Sequence, residues 1–192
     1  MNEADKRPDY KKLYRIACSY FEKKKGHFAS GPLDETFFTL RVFETAKDLI
    51  KLIKVKAKEK EILTATLLHD IGKSKLNIKK IITKNGFTEN ILEEWHRHPK
   101  LSAKLAKPLL KKLGHSKEFT ENVCYLIENH DKRENFSGKK SLELQIVQDA
   151  DYIGDTGFAG FVRPFTWSGK FKRPIIEQIK YMKNNKNSRG LI

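Results

Sequence analysis

Ile62-Leu63-Thr64-Ala65-Thr66-Leu67-Leu68-His69-Asp70-Ile71-Gly72-Lys73 joins an apolar run to an adjacent imidazole and carboxylate, and a glycine and a lysine follow at once. The run is apolar enough to be a central helix, so its last residues deliver His69 and Asp70 to the protein interior. Such a pair suits a hard or borderline divalent cation, because each side chain offers a lone pair at about 2.0–2.2 Å and the carboxylate can bridge two ions. Two ligands are too few for a site. The remainder of the chain is therefore read for partners to His69 and Asp70, and for the scaffold that would bring them there.

Moving outward toward the N-terminus, the charged segment from Lys54 to Glu61 reads as a solvated turn. Before it, Leu33, Phe37, Leu40, Phe43, Ala46, Ile50 and Ile53 recur three or four apart, which predicts one buried face of a long helix over 33–53. Ser30, Gly31 and Pro32 mark a loop, and Leu13, Ile16, Ala17 and Tyr20 predict a first helix from about Asp9 to Lys25.

Toward the C-terminus, residues 77–83 and 88–95 read as short helices joined through Asn85-Gly86. Pro99 suits the first turn of a helix reaching Leu113, which Pro108 should kink or break. Ser116 can cap the next helix, whose stripe Phe119, Val123, Ile127 ends at His130. After a polar loop from Asp131 to Lys140, Leu142, Leu144, Ile146, Val147 and Ala150 predict a helix ending near Tyr152. Beyond Gly154 the glycines predict irregular chain until a helix over 175–182 and a basic tail over 183–189. No alternating strand pattern of useful length and no internal repeat are present. The expected fold class is all-α, a helical bundle in one domain.

Composition narrows the function classes. The chain has 192 residues, 39% of them hydrophobic, enough for one buried core. It contains no apolar run of membrane-spanning length and its first residues are polar, so a cytoplasmic protein without a membrane partner is expected. Cys18 and Cys124 lie within helical patterns without metal-type spacing and read as buried thiols. A formal charge of +15 fits a polyanionic partner, a nucleotide or a nucleic acid, and equally a lysine-rich solvated surface.

Partners for the His69-Asp70 pair are at hand: His98 before a helix, His130 at the end of an apolar stripe, and Asp149 and Asp151 at the end of an otherwise buried helix. Buried imidazoles and carboxylates need partners, and one cation can serve several at once.

These residues resemble the motifs of the HD-domain metal-dependent phosphohydrolases. The resemblance is carried by His69-Asp70-Ile71-Gly72-Lys73, His98-Pro99 with Ser102-Ala103, Ile127-Glu128-Asn129-His130, and Val147-Gln148-Asp149-Ala150-Asp151. The glycines Gly154, Gly157 and Gly160 before Arg163-Pro164-Phe165 are similar to those of the small predicted HD hydrolases, and the likeness covers about residues 33–165. The resemblance implies an HD-like all-α bundle. It implies that His69, Asp70 and Asp151 bind a first ion and that Asp70, His98 and His130 bind a second in members with two. The cofactor would be one or two divalent ions, Mn, Fe, Co, Ni, Zn or Mg, activating a water against a phosphate ester or anhydride. Asp70, Lys73 and Asp149 would serve catalysis, Asp149 by orienting a ligand or water, while Lys73, Lys75 and Arg163 would meet a phosphorylated substrate, expected to be nucleotide-like.

One position departs from the family. Three residues before Arg41-Val42, where the family has a metal-binding histidine, stands Phe38. A shifted or single-metal enzyme, compensation by Asp34, Glu35 or His27, and a degenerate domain that binds nucleotide or nucleic acid without turnover all follow as expectations. A two-iron oxygenase would need the full ligand set that Phe38 breaks.

Overall fold

Helix formation is dictated by the buried faces, and the central element is buried on every side from Ile62 to Leu68. A computed structural model describes residues 7–22, 35–53, 58–77, 80, 82–83, 86–87, 91–133, 137–170 and 174. In it α1 spans Tyr10–Glu22, α2 Glu35–Ile53, α3 Glu59–Leu68, α4 Ile91–Trp95, α5 His98–Lys112, α6 Lys117–Asn129, α7 Leu142–Gly154 and α8 Gly157–Lys170. A 3-10 helix, Ile71–Lys75, follows α3, and Ile82–Thr83 pairs antiparallel with Gly86–Phe87. The fold is all-α apart from that short ladder.

Every residue of α3 from Ile62 to Leu68 is buried, because α1, α2, α6 and α7 pack around it. Burying four such leucine and isoleucine side chains contributes about 1.5–3 kcal/mol each, which anchors the helix end that holds His69. α5 packs on α6 and on the 3-10 helix, and α7 lies against α2. Ser116 and Ser141 cap α6 and α7, each side chain accepting from the backbone N–H three residues on.

Several sequence expectations are corrected. α2 buries Glu35, Phe38, Thr39, Val42, Phe43 and Ala46, whereas Phe37 and Leu40 are exposed, so its inward face is rotated from the expected stripe. Pro108 does not break α5, which continues to Lys112. Ile82–Thr83 is a strand rather than part of a helix. The glycine-rich chain past Gly154 is largely helical as α8. Cys18 and Cys124 are not joined by a disulfide, and both are half-buried rather than fully enclosed. The helix expected over 175–182, the basic tail, Leu33, Asp34 and His27 lie outside the described residues.

Candidate metal centre

Three histidines reach the centre from three helix ends. His69 follows α3, His98 opens α5 and His130 follows α6. Each Nδ1 lies 2.7 Å from the carbonyl oxygen three residues earlier, those of Thr66, Trp95 and Ile127. A carbonyl can only accept, so each Nδ1 carries its proton and donates, and each Nε2 is left as the inward-facing nitrogen.

The Nε2 atoms converge on Asp70. His98 Nε2 is 3.2 Å and His130 Nε2 3.7 Å from Asp70 Oδ1, and the two ring nitrogens are 3.3 Å apart. His69 Nε2 is 3.2 Å from Asp70 Oδ2 and 3.4 Å from Asp151 Oδ1. His69, Asp70 and His130 place one donor atom each within 4.8 Å of one another. Asp70 Oδ1 and His69 Nε2 are buried without a well-formed hydrogen bond. Such orphaned atoms are rare in interiors, and a shared cation is what a set of two acidic oxygens and three imidazole nitrogens accommodates. The residues fit a divalent ion.

Gly72 explains how α5 comes close enough. Its N–H donates to Ser102 Oγ at 2.8 Å, and a Cβ at this position would collide with His98 O and Ser102 N. Only glycine lets the 3-10 helix lie on the first turn of α5, and this contact sets where His98 stands.

The charges respond to this crowding. Burial pulls the His69 pKa down, but the Asp70 and Asp151 carboxylates outweigh it and raise it to about 10. His130 is lowered to about 4 by burial, with His69 and His98 adding to the effect, so its ring stays neutral. Burial alone would raise Asp70 and Asp151, yet His69 with Lys73 holds the first, and His69 with Arg133 the second, well below the usual carboxylate range.

The opposite side of Asp70 is ion-paired. Lys73 Nζ donates to Asp70 Oδ2 at 2.6 Å and to Glu35 Oε2 at 3.2 Å. Arg163 pairs with Glu35 and, at 2.9 Å, with Asp155 Oδ1, and its guanidinium carbon stands 4.0 Å above the Phe38 ring. Arg133 pairs with Asp151 Oδ2.

Thus His69, Asp70, His98, His130 and Asp151 are brought together. Lys73 is buried beside them, its ammonium engaged by two carboxylates, and Arg163 lies over Phe38. Lys75 is exposed, and Asp149 is exposed two residues around α7 from buried Asp151, so neither is drawn into the cluster. Glu35 is at the site as the partner of two cations. Arg133 went unnoticed in the sequence, since a loop arginine after the His130 helix carries no periodic signal.

The HD-domain profile matches residues 39–154, more than half of the chain, and the chain belongs to the HD-domain family, whose superfamily comprises metal-dependent phosphohydrolases. Bacillus subtilis YpgQ solved with ADP is a structural neighbour at TM-score 0.55 and 20% identity, covering 90% of this chain and 78% of that one. A second structure of Bacillus subtilis YpgQ gives TM-score 0.55, 19% identity, and 93% and 79% coverage. A Lactobacillus plantarum protein gives TM-score 0.50, 23% identity, and 85% and 65% coverage. At these identities the likeness is one of fold. No curated protein sequence matches. Among the described residues no helix is long and apolar enough to cross a membrane.

Proposed function

We propose that this chain is a metal-dependent phosphohydrolase acting on a phosphate ester or anhydride of a nucleotide. The carrying observation is Asp70 Oδ1, buried without a hydrogen bond and facing two imidazole nitrogens whose tautomers the backbone sets. A divalent ion held by His69, Asp70, His98 and His130, with Asp151 beside His69, would supply Lewis acidity and an acidified water.

The protein's own groups do the rest. The three carbonyls hold the rings in one orientation, so the donors need no rearrangement. Asp151 remains an anion and can orient a water or a ligand. Lys73 and Arg163 bring fixed positive charge beside the centre, and Lys75 is exposed on the 3-10 helix that carries Lys73, a suitable contact for phosphate oxygens. The nucleotide class is supported by the formal charge of +15 and by the ADP bound to the neighbour YpgQ.

Chelator-stripped protein reloaded with Mn, Fe, Co, Ni, Zn or Mg and offered nucleoside mono-, di- and triphosphates should release product only when metal is present. A metal-loaded protein that turns over none of the panel removes this reading. Phe38 favours a second one, a domain that holds nucleotide or nucleic acid without turnover. Saturable, salt-sensitive binding with no product would select it.

A further inference from the structure

Phe38 stands where a ligand is missing, but its surroundings are not a gap. Three cations approach its ring: Arg163 at 4.0 Å, and Arg41 and Lys73 each at 5.6 Å from the centroid. Lys73 Nζ also lies 5.0 Å from the Trp95 ring. The ammonium is thus enclosed by two carboxylates and two aromatic rings, and its side chain is only 7% exposed. An ammonium in such a seat is favoured by the ring faces as well as by the paired charges.

The oxygens of Asp70 and Asp151 are apportioned accordingly. A carboxylate that bridges two metal ions through both oxygens gives one to each. Here Asp70 Oδ2 is taken by Lys73 and Asp151 Oδ2 by Arg133, while Asp70 Oδ1 faces His98 and His130. Charge leads to the same count. Four buried carboxylates, Glu35, Asp70, Asp151 and Asp155, face three protein cations, Lys73, Arg133 and Arg163, and at the edge half-buried Asp131 beside Arg133 is matched by half-buried Arg41 beside Phe38. Once His69 has released its proton to the incoming metal, one divalent ion more than offsets that excess, and a second would leave a larger uncompensated positive charge in a buried site.

We propose that Lys73 is the permanent occupant of the cation position beside Phe38, so that the centre takes a single divalent ion, on the side of Asp70 where His69, His98 and His130 converge. Phe38 is then the floor under Lys73 and Arg163. This rests on the metal-centre reading above and goes beyond it by assigning the ion count and the residue that sets it.

The test is a count. Full-length, chelator-stripped protein is titrated with Mn²⁺, desalted and analysed for bound manganese, and its electron paramagnetic resonance spectrum is recorded. One ion per chain with the hyperfine pattern of an isolated ion is expected. Two ions with a spin-coupled spectrum overturn the inference while leaving the metal-centre reading intact, and no bound ion overturns both. In the double variant Phe38→His, Lys73→Ala the count should rise from one to two and the coupled signal should appear. A folded double variant that still binds one ion overturns the role given to Lys73. Lys73→Met, which keeps the apolar stem, provides the same comparison should the double variant not fold, with a second ion expected and an unchanged count overturning the role.

Discussion

The two oxygens of Asp70 face unlike halves of one site. Oδ2 belongs to a chain of ion pairs running through Lys73 and Glu35 to Arg163 and Asp155, in which each charged group meets an opposite one. Oδ1 faces His98 and His130, is buried, and lacks a hydrogen bond. The first half is complete from its own side chains, and the second is the half for which a metal ion is proposed. The contrast separates residues that hold the architecture from residues that wait for a ligand, although both kinds are buried, ionisable and only a few ångströms apart.

Asp70→Ala breaks the contrast most severely. It should abolish metal binding and, by removing one of two carboxylates from buried Lys73, destabilise the fold by about 3–5 kcal/mol. Equilibrium dialysis and urea unfolding measure both effects, and full metal occupancy in this variant would show that the centre lies elsewhere.

A change of pH tests the imidazole half alone. Without metal, His69 has its pKa raised to about 10, so at neutral pH a proton occupies the nitrogen that a metal needs. Metal binding should therefore release a proton, and affinity should rise about tenfold per unit as pH increases from 6 to 8. Calorimetry in buffers of different ionisation enthalpy reads the released proton, and a pH-independent affinity contradicts the assignment.

Gly72→Ala acts through packing. The added methyl group meets the backbone of His98 and Ser102, so α5 must shift, at a cost of about 1–3 kcal/mol and with weaker metal binding because His98 moves with it. An unchanged unfolding midpoint and metal affinity would refute the close contact. Phe38→Leu should have the smallest effect. It removes the ring under Arg163, costs about 1 kcal/mol, and leaves the metal affinity of the imidazole half unaltered; a large change in that affinity would show that the two halves are coupled.

Much of the imidazole half was legible in the sequence, because its residues sit where apolar helical patterns end: His69 after Leu68, His130 after the stripe through Ile127, and Asp151 beside Ala150. The ion-paired half was less legible. Its anchor Glu35 is a buried charge on α2, and a pattern drawn from apolar residues alone chose Phe37 and Leu40 while the helix turned Glu35, Phe38 and Thr39 inward. α8 was hidden for a different reason. Glycines normally weaken helices, but Gly157 opens this one at φ 67°, and Gly160 sits so close to Asp155 O that a larger residue would not fit. That contact is long-range in its consequence, since α8 carries Arg163 to Glu35.

The three Nδ1–carbonyl bonds also bear on which metal the proposed centre would take. They fix a nitrogen-rich donor set, with three imidazoles against the oxygens of Asp70 and Asp151. Magnesium favours oxygen ligands and retains its waters, whereas zinc, cobalt and nickel accept imidazole readily. On the proposed metal-centre reading, the backbone at three helix ends would act as a filter on the cellular pool of ions, favouring transition metals over far more abundant magnesium.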